Sequence, residues 1–334
     1  MSKSNSFTAK FLVVILCVVA IIIYFFPLPY IIMAPGIAQE LSPMITVENG
    51  YKNQSHGVFL LTAVSTQRST IFDYLNISLR KPRGVELEPL SEHLPQGMDM
   101  QEYIDIMEKF MEDSKNKARA VALEKAGYSY EINYNGVIVS EVLENGSAKG
   151  KLKENDIIVA VDDKEVKDDQ DAIDFIRAHE IGENVKITVK REGEIHNYKM
   201  KTVNLNNGND NPSIGVMIYT DQTFKFPLEV EFKTDNIAGS SAGGMFALEI
   251  YNQLIKEDIT KGKKIAGTGT IDLEGNIGMI DGIEQKVLAA ERNGSEIFFV
   301  PEENYDNARK VARDIELVSL KTIDDALNYL EKIN

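Results

Sequence analysis

Asp235-Asn236-Ile237-Ala238-Gly239-Ser240-Ser241-Ala242-Gly243-Gly244 opens the stretch that decides the fold. An apolar run follows, then Gly267-Thr268-Gly269-Thr270-Ile271 and Gly278-Met279-Ile280-Asp281-Gly282-Ile283-Glu284-Gln285-Lys286. Small residues at 239–244 let the backbone turn tightly and let a substrate approach. Met245, Phe246, Leu248, Ile250, Tyr251, Leu254 and Ile255 then recur at the spacing of a buried helix. Ser241 falls at the expected helix start, where free N–H groups can hold an oxyanion. Gly239 and Ala242 flank it as candidate donors. A serine hydroxyl needs a base within hydrogen-bond reach. The four histidines, His56, His93, His179 and His196, all precede this region. Lysine can take their place if burial keeps it neutral. Lys286 has Ile283, Val287, Leu288, Ala289 and Ala290 around it in sequence. Taken singly, these features also fit an ordinary serine helix cap and a solvated surface lysine. Their combination favours a serine nucleophile with a lysine base.

Gly239-Ser240-Ser241-Ala242-Gly243 resembles the Gly-Pro-Ser-Ala-Gly nucleophile motif of Lon-type serine proteases. Gly282-Ile283-Glu284-Gln285-Lys286-Val287-Leu288-Ala289-Ala290 resembles their Gly-Leu-Lys-Glu-Lys-Leu-Leu-Ala-Ala segment, whose second lysine is the general base. Thr268-Gly269 and Ile297-Phe298-Phe299-Val300-Pro301 are similar to the strands on either side of that helix. The resemblance covers residues 205–334 and implies a Lon-type proteolytic α/β domain. It makes Ser241 the nucleophile, Lys286 the base and Thr268 a supporting hydroxyl. The chain departs from the motif in two places. Ser240 stands where the family has proline. Ala238 stands where an acid often precedes the motif, and Asp235 is not aligned with that acid.

The composition is globular, with 43% hydrophobic and 26% charged residues over 334 positions, enough for two or three domains. A formal net charge of -15 argues against nucleic acid as a partner. Cys17 is the single cysteine, so no disulfide within the chain and no cysteine-ligated zinc site is expected. The sequence contains neither a P-loop nor a His-Glu-x-x-His motif. No cofactor and no metal are expected, and ATP-driven unfolding is not; the substrate would be a peptide or an unfolded protein.

Residues 1–36 read as a cytoplasmic tip and a membrane anchor. An apolar run spans Phe11 to Phe26, short for a bilayer. With Leu28, Tyr30, Ile31 and Ile32 it becomes long enough. An uncleaved transmembrane helix with a cytoplasmic N-terminus is expected, the rest of the chain lying outside the cell. Residues 37–126 hold short β-prone runs, with Gly57–Val64 as a buried strand, and a helical stretch from Gln101 to Ala126. The runs at 44–80 are expected to complete the sheet of the 205–334 segment. Strands, turns and one helix then fill 127–204. That pattern resembles a PDZ domain of the bacterial protease-associated kind, with Asn155-Asp156 in place of the usual Gly-Asp. PDZ domains add an extended peptide to a sheet edge. The expected edge is Val137, Ile138 and Val139, with Tyr134, Asn135 and Gly136 as the loop for a terminal carboxylate.

The expected class is therefore α+β: a transmembrane helix, a PDZ-like β domain inserted into the sheet-forming residues, and a Lon-type proteolytic domain. This order resembles the membrane-anchored PDZ–Lon serine proteases of Gram-positive bacteria, some of which process secreted pheromones. The resemblance implies an ATP-independent endopeptidase acting outside the cell, and Lon-type domains often form homo-oligomers. The competing reading is a membrane-anchored PDZ scaffold whose protease domain is inactive. A signal-peptidase-like Ser-Lys enzyme fits less well, because Ser241 stands far along the chain from the anchor.

Overall fold

A computed structural model describes residues 3–51, 57–94, 98, 100–205, 211–234 and 237–333, with side chains from residue 10 onward. Asp235, Asn236 and His56 lie outside the described residues. Helix α1 (Lys3–Phe25) leads into strands β1 (Pro27–Glu40), β2 (Ile45–Val47) and β3 (Val58–Thr70). Helix α2 (Ile71–Arg80), β4 (Glu86–Pro89), α3 (Leu90–His93) and the long α4 (Met100–Lys125) follow. A second group comprises β5 (Glu131–Val142), β6 (Ile157–Val161), β7 (Lys164–Glu165), α5 (Asp169–Arg177), β8 (Asn184–Arg191), β9 (Glu194–Lys201) and β10 (Val216–Lys225). The chain then forms β11 (Val230–Phe232), α6 (Gly243–Leu254), β12 (Lys264–Gly267), β13 (Thr270–Ile271), β14 (Ile277–Gly278) and α7 (Ile283–Arg292). It closes with β15 (Ile297–Pro301), α8 (Tyr305–Val311), β16 (Glu316–Leu320) and α9 (Ile323–Lys332).

One sheet has the order β16-β15-β12-β3-β1-β4. Strands β3, β12, β15 and β16 run parallel, and β1 joins β3 antiparallel. Its central strands are buried on both faces, which explains their unbroken apolar runs. Side chains alternate between the faces. Phe59, Leu61, Ile265, Ile297 and Phe299 face α6 and α4. Leu60, Ala266, Phe298 and Val300 face α7 and α8. Helix α6 is buried all round, as its apolar composition requires. Helix α4 buries Ala118, Val121 and Ala122 at three- and four-residue spacing, and these small side chains let it approach α6 closely.

The second sheet has the order β10-β5-β6-β8-β9. It packs Val137, Val139, Ile158, Val185 and Ile187 against α5 residues Ala172 and Ile176. Because β5–β10 falls between α4 and β11, this sheet is an insertion. Residues on both sides of it return to the first unit, where β2 pairs with β11. Asn155 takes φ 66°, the left-handed conformation for which glycine is usual and which asparagine tolerates. The next residue, Asp156, is 1% exposed and receives Arg191 Nε at 2.6 Å and Nη2 at 2.7 Å.

The N-terminus departs from expectation. Helix α1 stops at Phe25, and Pro27 starts a strand. Leu28, Tyr30, Ile31 and Ile32 therefore do not lengthen a span; Ile31 and Ile32 are buried in β1 against β3. Among the described residues no helix is long and apolar enough to cross a membrane, so the expected transmembrane helix is corrected. The α+β class stands, with β1 part of the sheet rather than of an anchor.

Two stability effects follow from buried charges. Removing Arg191 strands the Asp156 carboxylate, and breaking a buried pair from one side costs about 3 kcal/mol. Arg191→Met lowers the denaturation midpoint of the second sheet accordingly, read by tryptophan-free methods such as circular dichroism in urea. Glu249 on α6 is 3% exposed. Burial pushes its carboxyl up to about 7, the hydrogen bond from Gln253 opposes this, and Asp258 adds to it. The folded chain thus holds a proton that the unfolded chain releases from about pH 4.5 upward. Stability falls as pH rises from there through about 7. Glu249→Gln raises Tm above that window and leaves it unchanged below, measured by thermal denaturation on either side.

Candidate active site

Two helix starts converge at one end of β12. Gly239, at φ 94°, turns the chain into the loop before α6. This loop is tied to α4: the Gly239 N–H donates to Met107 O at 3.0 Å, and Ser114 Oγ donates to Ser240 O at 3.0 Å. Gly243 begins α6 where a Cβ would sit 2.6 Å from Ile271 and 2.7 Å from Ser114 Oγ, so only glycine lets the helix start this close to the β13–β14 hairpin. On the other side, Gly282 takes φ 68° at the start of α7, with Val64 2.6 Å from where a Cβ would be. Asn304 clamps the preceding turn, accepting from Ile280 N at 2.9 Å and donating to Ile280 O at 3.0 Å.

These turns aim Lys286 at Ser241. Lys286 Nζ donates to Ser241 Oγ at 2.9 Å and to Thr268 Oγ1 at 3.1 Å. Thr268 Oγ1 in turn donates to Ser241 O at 2.9 Å, and the Gly269 N–H donates to the same carbonyl at 2.8 Å. Lys286 is 4% exposed. Burial brings its pKa down to about 8, against the Asp281 carboxylate, which raises it. No salt bridge engages the ammonium among the described residues, so a minority of the population is already neutral at pH 7 and about half at pH 8. A neutral amine in contact with a serine hydroxyl can take the hydroxyl proton, and the alkoxide can attack a carbonyl.

Among the expected oxyanion donors, the two differ. The Gly239 N–H is committed to Met107 O and is not available. The Ala242 N–H makes no backbone hydrogen bond among the described residues and directly follows the serine. Thr268 lies where a supporting hydroxyl was expected, bridging the lysine and the serine backbone. Asp281 was not singled out as a site residue. Its signal was its place immediately before Gly282, five residues ahead of the lysine.

The expected peptide edge is corrected. Strand β5 lies between β10 and β6, so both its edges are occupied. Tyr134 and Gly136 are not a loop; they pair with Gln222 and Asp221, with Asn135 at the irregularity between them. Val137 and Val139 are fully buried in the core, and Ile138 pairs with both Tyr219 and Ile157. The edge of this sheet that faces α5 is β10, which pairs with β5 on one side only among the described residues. No cluster of metal ligands occurs among the described residues.

Residues 119–204 match the PDZ domain family, and residues 235–331 match the Lon protease (S16) C-terminal proteolytic domain. The Lon protease of Trichlorobacter lovleyi is 34% identical over 99 residues, 28% of this chain and 12% of the relative. The Lon protease of Rickettsia typhi is 29% identical over 122 residues, 35% of this chain and 15% of the relative. The chain thus spans a small part of the length of these curated relatives. The PDZ domain of an SdrC-like protein from Listeria monocytogenes is similar over 26% of this chain and 92% of its own, at 27% identity and a TM-score of 0.25. One polypeptide therefore carries a PDZ domain and, C-terminal to it, a Lon-type proteolytic domain.

Proposed function

We propose that the chain is an ATP-independent serine endopeptidase in which Ser241 is the nucleophile and Lys286 the general base. The observation that carries this reading is the 2.9 Å contact between Lys286 Nζ and Ser241 Oγ in a site where the lysine is 4% exposed. The match to a Lon-type proteolytic domain supports the same chemistry.

Neutral Lys286 accepts the Ser241 proton as Oγ attacks the scissile carbonyl. The Ala242 N–H stands next to the serine as the oxyanion donor. Lys286, now an ammonium, passes its proton to the leaving amine, and the released peptide departs. Water then attacks the acyl-enzyme, with Lys286 again as base. Thr268 orients the lysine by accepting from it while donating to Ser241 O. The PDZ domain would deliver the substrate as a strand added to the free edge of β10. The resemblance to the PDZ–Lon proteases of Gram-positive bacteria supports peptide processing outside the cytoplasm as the setting, which protease accessibility in intact cells would test.

Ser241→Ala and Lys286→Met each lower hydrolysis of unstructured peptides by at least roughly a thousandfold, in line with losses in other dyads and triads. The circular dichroism spectrum stays unchanged, since methionine fills the apolar site of the lysine stem. Retained turnover in Lys286→Met would remove the dyad.

The pH profile follows from the lysine. Log kcat/KM rises with unit slope up to about pH 8 and then levels. Asp281→Asn removes the charge that raises the lysine pKa, so the acid limb moves to lower pH. An acid limb that stays in place in this variant assigns the titration to another group.

A further inference from the structure

We propose that the cleft leading to Ser241 selects cationic peptide segments. This rests on the protease reading above and names its substrate class. A cleft of ≈ 700 Å³ lies between α4, α5 and the β13–β14 hairpin. Its lining includes Ile218 on β10, the edge strand, and Ile173 on α5. It also includes Gly278 and Ser240, the residue before Ser241. The cleft wall thus includes both a residue of β10 and the residue that precedes Ser241. Phe110, Ile271 and Ile277 give the lining an apolar part.

The walls carry the selectivity. Two lysines line the cleft, and both are already paired: Lys117 with Asp113 at 2.7 Å and Lys321 with Glu302 at 3.2 Å. Five carboxylates line it in all, so subtracting the two ammonium groups leaves an excess of three negative charges. Asp169, Asp272 and Glu303 have no salt-bridge partner among the described residues. The field is felt at Lys117. Burial lowers its pKa, yet Asp113, Asp169 and Asp168 outweigh burial and the net shift is upward. Asp281, close enough to Lys286 to raise its pKa, adds a negative charge at the dyad. A low-dielectric cleft of one sign concentrates ligands of the other sign. Lysine or arginine side chains on the substrate gain from these carboxylates; glutamate or aspartate at the same places meets repulsion.

The test uses the full chain with Ser241→Ala, so that binding is read without cleavage. Three labelled, unstructured peptides of equal length carry lysine, glutamine or glutamate at the same positions. Fluorescence anisotropy should give the lysine peptide an affinity about tenfold above that of the glutamate peptide, a gap that narrows in high salt as the charges are screened. Glu303 is on an exposed turn, so Glu303→Lys folds normally and should shrink the gap severalfold. Equal affinities for the three peptides overturn the inference. Cleavage by the native chain is then followed on the same set. Cleavage without charge preference overturns the inference and leaves the protease reading; a binding preference without cleavage upholds it and overturns the protease reading.

Discussion

The site depends on one constraint: an amine must be kept out of water beside a hydroxyl. Lysine loses its proton near neutral pH only when its surroundings cannot solvate the charge. Here Lys286 on α7 is buried, and its Nζ is left with two hydroxyl acceptors, neither charged. A carboxylate in direct contact would have held the ammonium. Asp281 is near enough to be felt but not near enough to pair. The positions of α6 and α7 follow from that requirement, because each must begin at the C-terminal end of β12 for the two side chains to meet.

Helix α4 connects this chemistry to the inserted domain. It binds the nucleophile loop through Met107 O and Ser114 Oγ, and Arg119 Nη2 donates to Val230 O at 2.7 Å. From the same helix Asp113 accepts from Gln222 on β10 at 2.9 Å. The strand that leads out of the inserted sheet and the loop that carries Ser241 thus share one rigid support. The inserted sheet holds to α4 through the Gln222–Asp113 side-chain pair, and the loop before α6 through Met107 O and Ser114 Oγ.

The pairing of Ser241 with Lys286 was legible because its parts are local. Gly239–Gly244 and Gly282–Ala290 each read as a helix start, and each places its functional side chain within a few residues of the turn that aims it. Strand neighbours are not written in a strand's own residues. Val137–Val139 has the composition of any buried strand, and whether it is an edge depends on Val216–Lys225, far along the chain. The N-terminus misled for a related reason. Leu28–Met33 continues the hydropathy of the helix before it, but Pro27 and Pro29 end helical hydrogen bonding and the residues pair with β3 instead. Gly36 records that pairing: a Cβ there would lie 2.4 Å from Ala63 O.

The free edge of β10 is itself informative. An unpaired strand edge is an aggregation hazard unless something limits access to it. Strand β10 has neither proline nor an inward-facing lysine along Val216–Phe224 to blunt it. Access is limited by its neighbours instead: Thr220 Oγ1 accepts from the Asp169 N–H at 2.9 Å at the start of α5, and Gln222 binds Asp113 of α4. Both α4 and α5 thus contact this edge strand. Contacts of this kind keep the edge from pairing with the sheet of another copy, and the cleft beside it has Ser240 in its wall.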